Sequence, residues 1–165
     1  RDSAMGLNMA VKRAQQDWTQ AVLSQDYERL LSLYSFPVLF KPTLASSIRT
    51  TAQGARSYFI GGDPAFPEDS GFLFNNWKSI RWQPVALQPP TVANGRILSM
   101  GHYWFMGQDG KETKVDFTFG YIPTPQGLKI DLHHSSLSVD DSPKPFPLWL
   151  CAASLAGAFY LGRRT

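Results

Sequence analysis

The strongest constraint on this chain is a change of hydrophobic period partway along it. Early on, apolar residues return every three to four positions, as Val11, Ala14, Trp18, Ala21 and Val22, and then as Leu30, Leu33 and Tyr34. That spacing lays one apolar stripe along a helix. Residues 8–35 therefore predict a helical pair, with a break at Ser24-Gln25-Asp26-Tyr27. From Phe72 onward the pattern is that of strands: Trp77 to Leu87 with a break at Pro84, Arg96 to Met106, Glu112 to Ile122 and Gly127 to Val139. Asn94-Gly95, Gln108-Asp109-Gly110 and Pro123 to Gly127 supply the turn chemistry between them. Helices first and an antiparallel meander afterwards predict an α+β fold. Between the two regions, Pro37 closes the helical pattern and Val38-Leu39-Phe40 reads as a short strand. Ala52 to Ile60 then reads as a helix ended by Gly61-Gly62.

A chain of 165 residues, 43% hydrophobic and 18% charged, has room for one domain with a sizeable core. The net charge is +3 and the pI near 9.1, but the cations are scattered among acids and form no stripe, so no nucleic-acid partner is expected. A single cysteine, Cys151, excludes an internal disulfide framework and a multi-cysteine zinc site.

The tail differs in kind. Residues 140–147 form a proline-rich linker, and Phe146 to Gly162 carry no charge before Arg163-Arg164. A helix over 148–162, with Trp149 and Tyr160 near its ends, predicts a single membrane span. By the positive-inside rule the arginine pair faces stroma, matrix or cytoplasm, and the domain of residues 1–139 faces the opposite side. The expected location is an organellar membrane, the chloroplast thylakoid, with the globular domain on the lumenal side.

Two of the three histidines are adjacent, in Leu132-His133-His134-Ser135-Ser136-Leu137. Side chains alternate on a strand, so His133 shares a face with Ser135, and His134 shares the other with Ser136. Alternation from Ile130 and Leu132 sends His134 and Ser136 inward; a bulge reverses that assignment. Either pair can give a pocket a base titrating near neutrality and a neighbouring hydroxyl. The adjacent histidines point apart and no H-x-H or H-x-x-x-H spacing occurs, which argues against a metal centre.

The same residues belong to a wider set. Phe40-Lys41-Pro42-Thr43, Ser57 to Gly62, Glu68 to Phe72, Met100 to Phe105, Lys114 to Tyr121 and His133-His134-Ser135-Ser136 resemble, in that order, the iota-class carbonic anhydrases. The resemblance runs from about Trp18 to Val139. It implies the cone of the calcium/calmodulin-dependent protein kinase II association domain, a SnoaL-like, nuclear transport factor 2-like fold with a curved sheet on N-terminal helices. It also implies reversible hydration of CO₂ to bicarbonate in a pocket without a metal. Carried over by motif, Thr43 and Tyr58 bind substrate, and the catalytic set is His133, His134, Ser135 and Ser136. A homodimer through the outer sheet face is expected. The tail adds a second reading, an accessory subunit of a photosynthetic or respiratory membrane complex, and relatives of this cone that act on other small molecules add a third.

Overall fold

The computed structural model describes residues 2–84, 91–93 and 95–139. The linker of residues 140–147 and the expected membrane span of 148–162 lie outside the described residues. Among the described residues, no helix is long and apolar enough to cross a membrane.

The helical stripe folds as expected, into α1 (Asp2–Leu23) and α2 (Tyr27–Ser32). Asp26 makes the break by capping α2, its carboxylate accepting from the Arg29 amide at 3.0 Å. The expected helix overruns its true end: Tyr34 and Ser35 already belong to strand β1 (Tyr34–Lys41). The reason is tertiary, since the amide of Ile130 bonds the carbonyl of Leu33 and Tyr34 sits opposite Ile130. Helix α3 (Ala52–Ile60) has the expected bounds, capped by Thr51 and closed at Gly61, whose φ of 68° suits glycine.

The strands are β2 (Ser79–Pro84), β3 (Thr91–Ala93), β4 (Arg96–Met106), β5 (Glu112–Thr124) and β6 (Gly127–Leu137). They form one sheet in the order β1-β6-β5-β4-β2, with β3 also on β4. The meander is antiparallel as expected. Strand β1 departs from that pattern and pairs with β6 in parallel. The parallel pairing brings the residues that follow β1 beside the end of β6.

One bulge decides which side chains enter the core. Gly120 pairs with Leu132 but Tyr121 pairs with Ile130, so Asp131 is an extra residue on β6. Its carboxylate reaches across to Arg96 at 2.6 Å, over Gly120. A Cβ at Gly120 would stand 2.9 Å from Asp131 Oδ1 and 3.0 Å from the Leu132 side chain. Gly120→Ala should therefore destabilise the fold by roughly 1–3 kcal/mol, readable from urea denaturation.

The inner sheet face, α1 and α3 enclose an aromatic core. Trp18 at its centre meets Trp82, Tyr103, Phe105, Phe119 and the His133 ring, with centroids 5.6–6.3 Å apart. Trp77 and Trp82 pack against this core, whereas Trp104 stands on the outer face under the Arg81 guanidinium.

Candidate active site

The bulge places His133 and Ser135 inside, 3% and 5% exposed. His134 is exposed and Ser136 is half-buried on the outer face, opposite Asp116, the reverse of what alternation from Ile130 and Leu132 predicts. Asp131 is the physical reason, because one extra outward residue moves every later side chain to the other face. His134 and Ser136 are thus kept from the cavity.

His133 and Ser135 line a hollow of about 210 Å³ together with Thr43, Leu44, Tyr58, Tyr103 and a wall of Phe40, Phe59, Phe72, Trp77 and Phe105. No charged side chain is among its lining residues. Thr43 arrives on the loop after β1, and its hydroxyl donates to Ser135 Oγ at 2.9 Å. Tyr58 arrives on the buried face of α3 and turns its hydroxyl to the Leu44 backbone, which works against the upward push of burial on its pKa. The sequence-predicted residues Thr43, Tyr58, His133 and Ser135 therefore meet in one place. A larger hollow of about 460 Å³, between α1 and the β5–β6 turn, is lined by Arg13, Asp17 and Lys129 and by none of them.

Three residues outside the sequence-predicted site, Trp18, Tyr34 and Tyr103, also reach His133. Tyr34 O–H lies 2.8 Å from His133 Nδ1, the Trp18 indole donates to the Tyr34 oxygen at 3.0 Å, and Tyr103 OH lies 3.4 Å from His133 Nε2. The indole can only donate, so the buried Tyr34 hydroxyl sends its own hydrogen to Nδ1. This assigns the Nε2–H tautomer to His133 and turns its N–H toward Tyr103. Ser135 stands near enough to the Tyr103 phenol to favour its ionised form, against the stronger upward push of burial. The usable signal in the sequence was the alternation of β4, which sets Tyr103 on the same face as Ile97 and Phe105.

Burial, helped by His134, pushes His133 down from the usual imidazole range to about 3. It is neutral at physiological pH and a poor proton acceptor there. Burial also raises Tyr34, Tyr58 and Tyr103 above the ordinary phenol range, and Asp69 adds to the effect at Tyr58. The phenols stay protonated, so the cavity presents neutral donors against an apolar wall.

The loop that carries Thr43 is pinned at its base. Phe40 and Arg49 exchange backbone hydrogen bonds of 2.7 and 3.0 Å. The buried Arg49 guanidinium then holds Ser47 at 2.9 Å, Glu68 at 2.9 Å and Asp69 at 3.1 Å, while Ser57 of α3 donates to Asp69 at 2.7 Å. These bonds fix the Thr43 loop relative to Tyr58.

Among the described residues, no three His, Cys, Asp or Glu side chains converge to hold a metal ion. His102, the third histidine, stands on the outer face 2.7 Å from Asp116.

Known proteins share this fold and part of this sequence. A metal-independent carbonic anhydrase from Nostoc sp. (strain PCC 7120) is 42% identical over 109 residues, which cover 63% of this chain and 52% of the relative. The chain thus spans about half the length of that curated relative. The crystal structure of a cyanobacterial iota-carbonic anhydrase complexed with bicarbonate superposes with a TM-score of 0.71 at 33% identity, covering 81% of this chain and 93% of that one. An NTF2-like protein from Novosphingobium aromaticivorans, 12% identical with a TM-score of 0.61 over 84% of this chain and 86% of its own, shares the fold. The family profile described as "Metal-independent carbonic anhydrase" matches residues 9–137. With that match spanning most of the domain and its pocket, the chain belongs to the metal-independent, iota-class carbonic anhydrase family.

Proposed function

We propose that this chain interconverts CO₂ and bicarbonate in the Thr43–Tyr58–Tyr103–Ser135 cavity without a metal. The observation that carries the reading is a small, uncharged hollow whose hydroxyl hydrogens are ordered by their neighbours. At about 210 Å³ it falls below the usual range of sites for drug-sized ligands, roughly 300–1,000 Å³, which favours a very small substrate. The aromatic wall suits the apolar gas, and a bicarbonate-bound relative shares the fold and a third of the sequence.

Each group has a part in the reaction. Thr43 gives its hydrogen to Ser135, so its oxygen can accept from the attacking water and aim that water's lone pair at carbon. As the C–O bond forms, one C=O electron pair moves onto oxygen, and the O–H groups of Tyr58 and Tyr103 meet the developing charge. The water's proton leaves to a solvent molecule at the mouth, giving bicarbonate and H⁺. His133 acts as a fixed N–H donor behind Tyr103 and takes no proton. His134 and Ser136, on the outer face, have no part in this scheme.

Stopped-flow measurement of CO₂ hydration by the full chain, with and without a chelator, tests the proposal. The expected result is a rate above buffer that survives chelation; a folded, inert chain overturns it. Thr43→Val, nearly isosteric, should cost about tenfold in kcat/KM, the effect of one lost neutral hydrogen bond.

The tail supports a finer reading, in which residues 148–162 tether the domain to an organellar membrane, the thylakoid with the domain in the lumen. An accessory subunit of a membrane complex is the second reading and rests on the same tail. The open cavity favours turnover over a vestigial pocket.

A further inference from the structure

The cavity mouth is bordered by apolar side chains that the core leaves uncovered. Leu44 and Leu137 line the cavity yet are 73% and 59% exposed. Phe74, 57% exposed, is next to the cavity residue Asn75, and Val139, 76% exposed, follows two residues after Leu137. They come from three separate segments: the loop after β1, the 3₁₀ turn Phe72–Asn75 and the end of β6. Single exposed apolar residues need no explanation, but a group around one opening does. Leu39 and Met100, also exposed, lie on β1 and β4 and are not among the cavity's lining residues.

The chain leaves the domain at this same place. Residues 140–147 follow Val139 directly and precede the uncharged run, and eight residues of proline-rich linker reach about 25 Å at roughly 3.1 Å per residue. A tether that short keeps the mouth close to whatever the tail enters. Two exposed acids near the cavity residue Thr113 in sequence are paired, Asp109 with Lys111 and Glu112 with Arg81, which is compatible with a headgroup layer.

We propose that the mouth rests on the lipid bilayer, with Leu44, Phe74, Leu137 and Val139 in the interface, so that the cavity takes CO₂ directly from the hydrocarbon. This rests on the membrane-tether reading. CO₂ is apolar and dissolves in lipid, whereas charged bicarbonate is excluded from it. The apolar rim then admits the gas, and the exposed cavity residues Asn75 and Thr113 leave a polar side for the anion to depart into water.

The test uses the full chain carrying Cys151→Ser, which removes its one cysteine. A polarity-sensitive fluorophore is attached at Leu44→Cys, Phe74→Cys or Leu137→Cys, with Met100→Cys as outer-face control. All four positions are exposed, so the labels leave the core intact. Each protein is reconstituted into phosphatidylcholine–phosphatidylglycerol vesicles with and without brominated acyl chains. The three mouth probes should be quenched several-fold more than the control. Flotation with the vesicles but no such difference overturns the proposal and leaves the tether standing. Failure to float overturns both. Mouth probes shielded in a protein-concentration-dependent way, without bromine quenching, point to a second copy and also overturn it. The activity reading is untouched by any of these outcomes, because CO₂ hydration is measured separately.

Discussion

Alanine at Ser135 should lower kcat/KM for CO₂ hydration by about 10²- to 10³-fold, the usual effect of removing a preorganised donor from a transition-state site. Ser135 Oγ is the junction of the cavity, taking the Thr43 hydrogen at 2.9 Å beside the Tyr103 phenol. Without it the Thr43 hydroxyl turns, the attacking water loses its alignment, and Tyr103 loses its polar neighbour in the cavity. The effect should therefore exceed that of Thr43→Val, which removes one arm of the junction. The neighbouring hydroxyl provides the control. Ser136→Ala lies on the outer face and should leave kcat/KM within about twofold, since surface substitutions change energies by roughly 0.5 kcal/mol or less. Stopped-flow assays of the pair, with circular dichroism to confirm folding, decide the matter. If Ser136→Ala proves the damaging change, the site has been placed on the wrong face of β6.

That the two serines need an experiment to separate them shows where sequence stopped informing. The change of period set the order of helices and strands, and β4 and α3 fall on their expected bounds. Such features are local, written by residues that are neighbours in the chain. The facing of His133 and His134 was not local. It depends on Asp131 bulging toward Arg96, 35 positions away, across a glycine on the intervening strand. The start of β1 failed for the same kind of reason. Tyr34 keeps a helical period with Leu30, but pairing beside Ile130 overrides it.

The cavity was legible in a different way. The ordered blocks pointed to Thr43, Tyr58, His133 and Ser135 but not to what orients them. Trp18 and Tyr34 looked like ordinary stripe residues, because a pattern of apolar positions does not register an indole N–H or a phenol O–H. Once the fold brings them to His133, those polar tips set its tautomer. The expectation of a histidine base came from the reference pKa of imidazole, which holds for a solvated ring and not for one 3% exposed between Phe40 and Phe119.

His133→Gln tests that last point through both stability and activity. In the folded chain His133 titrates at about 3, against about 6.5 for an unfolded histidine. Between those values the unfolded state binds a proton that the folded state refuses. The native fold is therefore at full advantage above pH 6.5, and this contribution is lost as pH falls toward 3, at up to about 1.4 kcal/mol per pH unit and about 5 kcal/mol in all. Glutamine does not titrate. The variant starts less stable because it loses the ring stacking on Phe119 and Phe40, but the gap between wild type and variant should narrow steadily below pH 6.5. Parallel stability curves from urea denaturation would show that His133 titrates normally. The activity profile gives the second reading of the same fact. A donor that never ionises leaves no step near pH 6.5 in kcat/KM, and His133→Gln, which keeps an N–H near Tyr103, should lower the rate without changing the profile's shape. A wild-type step near pH 6.5 that disappears in the variant would make His133 the base, and the hydroxyl-ordered mechanism would have to be abandoned.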